Sequence, residues 1–292
     1  MGFYEQIAPY YDQIFPAGRE QLEFIKDTAG RPPKRLLDVA CGAGLYSVAL
    51  AHEGYEVWAT DLDAEMVRQT NARAAAGGVL VKAGILDMLE LDKLEADMFE
   101  TEKTGPDMFN LGKPDSGKYG SDGHESDKGE PSKSPRSGKP GEDKFDCVFC
   151  IGNSIVHLGS RDSILSAVLQ MKGRLKASGS VVLQIINFNR VISKGITALP
   201  SIINPETGLE FHRNYSFDAK TGLIGFDTVL KVRQSGVPER YSNSIKLFPL
   251  ICSELRAMLE RAGFGGIEFF GGFRMEQYVE EESFLLVVRA SI

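Results

Sequence analysis

The stretch Leu36-Leu37-Asp38-Val39-Ala40-Cys41-Gly42-Ala43-Gly44-Leu45-Tyr46-Ser47 decides the fold of this chain. It consists of an apolar strand with an acidic residue near its end, a turn of small residues and the start of a helix. A second apolar run, Tyr55 to Thr60, stops at Asp61. A doubly wound α/β unit places a carboxylate at this point against the ribose of a nucleoside cofactor. The two signals together predict a nucleoside-binding α/β fold.

The glycine pattern of the turn distinguishes between the common nucleotide-binding loops. A dinucleotide fold uses G-x-G-x-x-G, and the third glycine position is occupied here by Ser47, which disfavours a pyrophosphate ligand. A P-loop needs a lysine after its second glycine, and no lysine follows Gly44. A strand-turn-helix in which the glycines serve only tight packing stays open as an alternative.

The pattern D-x-x-C-G-x-G, with Asp38 three residues before Cys41, closely resembles motif I of the class I S-adenosylmethionine-dependent methyltransferases. The resemblance implies S-adenosylmethionine as the cofactor, with its methionine part above the turn. It also implies that Asp61 accepts hydrogen bonds from the ribose hydroxyls. The other implied cofactor residues are Asp38 and the backbone of Ala40, Gly42 and Gly44 at the methionine end, Leu62, Met66, Leu86 and Asp87 around adenine, Ile151 at the same site, and Tyr11 and Arg19 closing over the cofactor.

The run Gly152-Asn153-Ser154-Ile155-Val156-His157-Leu158 follows a continuous apolar strand and resembles the glycine/sarcosine N-methyltransferase branch of that family. The resemblance implies that Asn153 and His157 orient the methyl acceptor, and that His157 can take a proton from an ammonium or hydroxyl group. A structural role stays open as the alternative for each residue. In these alternatives His157 caps a helix or packs in the core, and Asn153 forms a turn.

One position departs from this branch. Its members carry an arginine before an Asn-aromatic pair, where it holds the substrate carboxylate, whereas Ile186 precedes Asn187-Phe188 here. A buried carboxylate without a cationic partner is costly, so we expect glycine as the acceptor only if another arginine substitutes. The candidates are Arg190, Arg213 and Arg240.

The order of elements predicts a Rossmann-like, doubly wound α/β fold: a mostly parallel sheet with a terminal antiparallel hairpin and a small antiparallel β cap. We expect the core in residues 1–100, 145–189 and 249–292. Residues 101–144 are rich in Gly, Pro, Ser and charge, and are expected to form a disordered insertion. Residues 190–248 predict three antiparallel strands that cap the acceptor site. An edge used for dimerisation is the alternative.

The composition and net charge of the chain indicate which classes of partner it can bind. The chain has 292 residues, 42% of them hydrophobic, and a net charge of -7, so it lacks the basic footprint of a nucleic-acid or anionic-membrane protein. No basic leader and no membrane-length apolar run is found, which predicts a cytoplasmic protein. Cys147 and Cys150, three residues apart on a strand, point to opposite faces, so no metal site is expected. The oligomeric state stays open.

These observations predict methyl transfer from S-adenosylmethionine to a small-molecule acceptor, with amines and amino acids as candidates. Two other functions stay open. One is a non-catalytic protein that binds the same cofactor, and the other is a nicotinamide-dependent oxidoreductase on a similar fold.

Overall fold

The computed structural model describes residues 6–94, 144–234 and 237–292. None of the helices in these ranges is long and apolar enough to cross a bilayer. The strands are β1 (Arg35–Val39), β2 (Glu56–Asp61), β3 (Val81–Ile85), β4 (Phe145–Cys150), β5 (Leu175–Ile186), β6 (Ala198–Asn204), β7 (Leu209–Asp218), β8 (Leu223–Gln234), β9 (Val237–Leu247), β10 (Gly266–Phe270) and β11 (Leu285–Ser291). The α-helices are α1 (Tyr11–Ile14), α2 (Arg19–Ala29), α3 (Leu45–His52), α4 (Ala64–Ala76), α5 (Arg161–Gly173), α6 (Phe188–Ser193) and α7 (Cys252–Ala262). Short 3-10 helices lie at Ala8–Tyr10, Leu91–Lys93 and Ile155–Leu158. The predicted insertion at 101–144 lies outside the described residues, apart from Lys144.

The larger sheet has seven strands in the order β10-β11-β5-β4-β1-β2-β3. Its strands from β5 to β3 are parallel, and β11 pairs antiparallel with both β5 and β10. This confirms the predicted mostly parallel sheet with a terminal antiparallel hairpin. The chain runs from β1 outward to β3 and then returns to β4 on the other side of β1. Ligands bind at such a switch point, beyond the carboxyl ends of the strands.

Helices cover both faces of this sheet, because neighbouring residues of a buried strand point to opposite sides. Leu36 and Leu37 are fully buried and belong to two separate hydrophobic clusters. One cluster contains residues of α2, α3 and α4, and the other contains residues of α5 and α7. Cys147 and Cys150 are divided between the two clusters in the same way, as their odd spacing predicted.

The smaller sheet is antiparallel, in the order β6-β7-β8-β9, and all four of its strands lie within residues 190–248. The sequence predicted three of them, and β6 was missed. Pro200 and Ser201 interrupt its apolar alternation, and the register with β7 shifts between Leu199 and Ile202. Proline lacks the N–H that a central strand needs, so β6 can only be an edge strand.

Two strand boundaries near the site depend on contacts with neighbouring elements. β3 begins at Val81, because the Val79 N–H donates to Ala74 O of α4 at 3.1 Å. β5 begins at Leu175 and continues through residues 176–179. At its start, Leu175 of β5 pairs with Phe145 of β4, and the register between these two strands shifts before Cys147.

The N-terminal segment packs against the smaller sheet. Ile7 and Ile14 are buried in one cluster with Phe211 of β7 and Leu230 of β8. The apolar side chains of this segment therefore contact β7 and β8 of the smaller sheet. Because the segment also reaches the turn after β1, it connects the two sheets across the carboxyl edge of the larger one.

Asn187, at the end of β5, fixes the loop that precedes β11. Its side chain is fully buried and its Nδ2 donates to the carbonyl oxygens of Glu280 and Ser283, both at 2.8 Å. Its Oδ1 accepts from the Tyr278 hydroxyl at 3.1 Å and caps α6 through Arg190 N.

We expect Asn187→Ala to lower the free energy of unfolding by about 2–4 kcal/mol, because it leaves several buried polar groups without partners. Urea denaturation measures this loss. The control is Asn214→Ala on the exposed side of β7, which should change stability by no more than about 0.5 kcal/mol. Equal effects of the two substitutions would contradict the anchoring role.

Candidate functional site

A cavity of about 520 Å³ lies at the carboxyl edge of the parallel strands. Small-molecule sites have volumes in this range and occupy this place in α/β sheets. Most of the residues predicted for the site line it: Tyr11, Asp38, Ala40, Gly42, Asp61, Leu62, Met66, Leu86, Asp87, Ile151 and His157. Three predicted residues, Arg19, Gly44 and Asn153, do not.

The turn after β1 forms the floor of the cavity because its backbone adopts left-handed conformations at three alternate positions. The φ angles are 58° at Ala40, 56° at Gly42 and 73° at Gly44. Gly44 does not line the cavity, but a Cβ there would lie 2.5 Å from a Thr70 side-chain carbon. Glycine at this position therefore allows the turn to pack directly against α4.

Asp38 is a buried carboxylate beneath this turn. It is 3% exposed, and its Oδ2 accepts a 2.6 Å hydrogen bond from the Ser47 hydroxyl. Burial raises the pKa of Asp38 to about 7, against the opposing effect of the Ser47 hydrogen bond. Ser47 occupies the position where a dinucleotide fold has its third glycine, so the same substitution that disfavours pyrophosphate supplies a partner for the carboxylate.

Asp61 connects the end of β2 to the turn. Its Oδ2 accepts from Gly42 N at 2.8 Å and its Oδ1 accepts from Asp63 N at 2.9 Å. Burial raises the pKa of Asp61, and the backbone hydrogen bonds counteract part of that rise. Each carboxylate oxygen keeps a further lone pair that can accept a hydrogen bond from a ligand hydroxyl.

Apolar side chains continue the cavity beyond Asp61. Met66 and Leu86 are buried, whereas Leu62 is 68% exposed at the rim. The Leu86 N–H donates to Asp61 O at 3.0 Å, and Asp87 Oδ1 accepts from Leu89 N at 2.9 Å. This part of the cavity can enclose a flat apolar group, with the Asp87 carboxylate at its edge.

His157 lines the opposite end of the cavity, on the 3-10 helix after β4. The His157 side chain is exposed beside the cavity, and its partial desolvation lowers the pKa of His157 below its ordinary value of 6.5. The imidazole is therefore neutral near pH 7 and can accept a proton.

Asn153 has a different role from the one predicted. Its Oδ1 accepts a 2.9 Å hydrogen bond from Ile186 N, and its φ of 70° lies in the left-handed region that asparagine tolerates. The side chain thus joins the end of β4 to the end of β5 and lies outside the cavity lining. The turn-forming alternative describes it better.

The N-terminal segment covers the cavity at the turn after β1. A Cβ on Gly42 would lie 2.3 Å from the Tyr11 hydroxyl, so this ring lies directly over the turn. Asp12 accepts from Arg73 at 2.7 Å, which fastens the segment to α4. Arg19, predicted to help close the site, is exposed at the start of α2, since the chain passes the cavity at Phe15 and Pro16 instead.

The sequence analysis missed several lining residues. Gln184 of β5 is 7% exposed, and its Oε1 accepts from Gly152 N at 2.7 Å. Tyr46 lines the floor and accepts from Gly18 N at 3.2 Å. Gln184 was detectable as the one polar residue in the run from Val181 to Ile186. Arg213, one of the three arginines considered in the sequence analysis, reaches the cavity from the smaller sheet.

Comparison with protein-family models matches residues 36–101 to a methyltransferase domain. The glycine/sarcosine N-methyltransferase of Aphanothece halophytica is 21% identical over 91% of this chain and 79% of its own length. Among solved structures, an S-adenosylmethionine-dependent methyltransferase from Clostridium acetobutylicum superposes with a TM-score of 0.70 at 14% identity, over 100% of this chain and 99% of the other. CalS10, an amino pentose methyltransferase from Micromonospora echinaspora solved with its cofactor, gives 0.57 at 15% identity, over 100% and 92% of the two chains.

The buried Asp38 predicts a specific pH dependence of stability. The unfolded chain releases this proton near the ordinary carboxyl pKa of 3.8, whereas the folded chain keeps it up to about 7. Stability therefore falls as pH rises between these values, by about 2–3 kcal/mol from about pH 5 to pH 8. Urea denaturation of the protein and of Asp38→Asn at both pH values isolates this contribution. A difference between the two that does not change with pH would contradict the assignment.

Proposed function

We propose that this chain, which is a class I S-adenosylmethionine-dependent methyltransferase, transfers the methyl group to the nitrogen of a small-molecule amine. S-adenosylmethionine is its cofactor. The observation that carries the proposed acceptor is His157, a neutral imidazole that lines the cavity after β4, on the other side of β1 from β2 and β3. The names of relatives agree with it, since one methylates glycine and sarcosine on nitrogen and another is an amino pentose methyltransferase.

The residues of the cofactor half fit an adenosyl compound. Asp61 has free lone pairs beside the cavity, as recognition of two ribose hydroxyls requires. Leu62, Met66 and Leu86 form an apolar slot next to it for the adenine. Asp38 and Asp61 also make this half electronegative, which suits a ligand carrying ammonium and sulfonium cations.

When bound, S-adenosylmethionine supplies a methyl group activated by a sulfonium. The protein then has to align an acceptor lone pair and keep water out. Tyr11 and Phe15 close the cavity from the N-terminal segment, and Ile202 closes it from β6. His157 would remove the proton of a bound ammonium, which frees the nitrogen lone pair.

Product analysis tests this function directly. The full chain is incubated with S-adenosylmethionine carrying a deuterated methyl group and with a panel of amines, amino acids, phenols and thiols. We expect labelled methyl on nitrogen, with S-adenosylhomocysteine formed in equal amount. Labelling only on oxygen or sulfur would refute the amine proposal, and cofactor binding without any turnover would favour the non-catalytic alternative.

We expect Asp61→Asn to weaken S-adenosylhomocysteine binding at least about tenfold, because the amide keeps the shape but replaces one acceptor oxygen and the charge. Isothermal calorimetry measures the affinity. Asp162→Asn on the surface helix α5 is the matched control and should bind normally. Unchanged affinity of Asp61→Asn would remove the ribose assignment.

His157→Gln should change the pH profile of methylation. If His157 takes the proton, kcat/KM of the unaltered protein is nearly flat from about pH 7 to pH 9, whereas the variant follows the fraction of free amine and rises with pH. Near neutral pH the variant should be about 100-fold slower. His212→Gln on β7, outside the cavity lining, is the control. A His157→Gln profile parallel to that of the unaltered protein would exclude proton transfer by this residue.

A further inference from the structure

Three buried polar atoms without hydrogen-bond partners lie together on the smaller sheet. They are Arg213 Nε, the Tyr215 hydroxyl and Thr228 Oγ1. Thr228 stands directly opposite Arg213 in the β7–β8 register, and Tyr215 lies two residues along β7 on the same face. Buried polar atoms normally have partners, so a cluster of three indicates a group that is absent from the chain itself.

The neighbouring positions on this face of β7 and β8 are apolar. Phe211 lies two residues before Arg213 on β7, and Leu230 lies two residues after Thr228 on β8, both in the cluster with the N-terminal segment. Burial lowers the pKa of Arg213, which means that its surroundings do not compensate its charge. A leucine would complete this face at no electrostatic cost, so the guanidinium requires a functional explanation.

Arg213 lines the cavity. Among its described lining residues, Arg213 alone carries a permanent positive charge, whereas Asp38, Asp61 and Asp87 are carboxylates. Its Nη2 donates to Pro200 O at 2.6 Å, and no carboxylate of the described chain lies within ion-pair distance. The terminal N–H groups of the guanidinium that make no bond within the described chain can donate to a ligand in the cavity.

Arg213 is associated with the acceptor half of the cavity. The Tyr215 ring packs against Phe188, with centroids 6.3 Å apart, and Phe188 is the first residue of α6 directly after β5. The part of β7 around Tyr215 therefore lies beside the end of β5. The proposed cofactor residues Asp61, at the end of β2, and Leu86, after β3, lie on the opposite side of β1.

We propose that Arg213, which lines the cavity, binds a carboxylate of the methyl acceptor. The acceptor is then an amino acid or a related amino carboxylate, an inference that rests on the proposed N-methylation. A planar guanidinium with free N–H groups matches a carboxylate with two parallel hydrogen bonds. One arginine in a cavity with three carboxylates suits a monoanion better than a doubly charged phosphate.

The test uses matched probes that differ only in charge: glycine, sarcosine and β-alanine against their carboxamides. With saturating S-adenosylmethionine, we expect the full chain to prefer at least one carboxylate over its amide at least about tenfold in kcat/KM. Arg213→Met should lower kcat/KM for that carboxylate about 100-fold, mainly through KM, and bring the ratio close to one, with Arg213→Lys in between. Arg240→Met, an exposed arginine on β9, is the control and should keep the preference.

Cofactor affinity separates acceptor binding from other roles. S-adenosylhomocysteine should bind Arg213→Met within about twofold of its normal affinity, since Arg213 is assigned to the other half of the cavity. Marked loss of this affinity would instead assign Arg213 to the cofactor carboxylate and overturn the proposal. A carboxylate preference that survives in Arg213→Met would overturn it as well.

Failure of the proposed function gives a different result. If the unaltered protein methylates no amine, the same carboxylates are titrated into its complex with S-adenosylhomocysteine by calorimetry. Binding that is lost in Arg213→Met and kept in Arg240→Met supports the carboxylate site even without N-methylation. Absence of binding by every carboxylate probe overturns it.

Discussion

The hydrogen bond from Gly42 N to Asp61 Oδ2, at 2.8 Å, is the contact on which the arrangement of the site depends. It joins the turn after β1 to the end of β2, so one interaction positions both the floor of the cavity and the carboxylate proposed to bind the ribose. The left-handed backbone at Gly42 is what points this N–H toward the carboxylate. A side chain there would meet the Tyr11 hydroxyl, so the same position also controls how closely the N-terminal segment can approach.

The two halves of the cavity differ in the charge of the side chains that line them. Asp61 and the ionised form of Asp38 give the half of the cavity proposed for the cofactor a negative character, and the cost of burying them is visible in the raised pKa values of both groups. A cationic ligand would relieve that cost. At the other end, His157 is held neutral and Arg213 has no counter-charge. The two halves therefore favour ligands of different charge, as a reaction between a cationic donor and an amino carboxylate requires.

The sequence predicted the fold and the cofactor because both depend on local patterns. The glycines of the turn, the carboxylate after β2 and the alternation of strands and helices are local constraints on the backbone, and the comparisons with known methyltransferases confirm the fold and the cofactor they predicted. The roles of individual site residues stay predictions, although most of those residues line one cavity. The division into a core and a cap also stays a prediction.

What the sequence could not predict depends on contacts between distant elements. β6 is held by pairing with β7 despite Pro200, and Asn153 is used by the backbone of β5 rather than by the cavity. Arg213 was one of three arginines with equal standing in the sequence. Of these, Arg190 lies over the Phe284 ring and Arg240 is exposed, and only Arg213 lines the cavity. The packing of the smaller sheet on the larger one places Arg213, and neither of the other two arginines, at the cavity.

A crystal structure of the complex with S-adenosylhomocysteine tests the central claim most directly. The account predicts ribose hydroxyls within about 2.6–3.2 Å of the Asp61 carboxylate and adenine between Leu62, Met66 and Leu86. It also predicts that the sulfur faces the His157 end of the cavity. The product bound elsewhere, or bound with its ribose away from Asp61, would contradict the account.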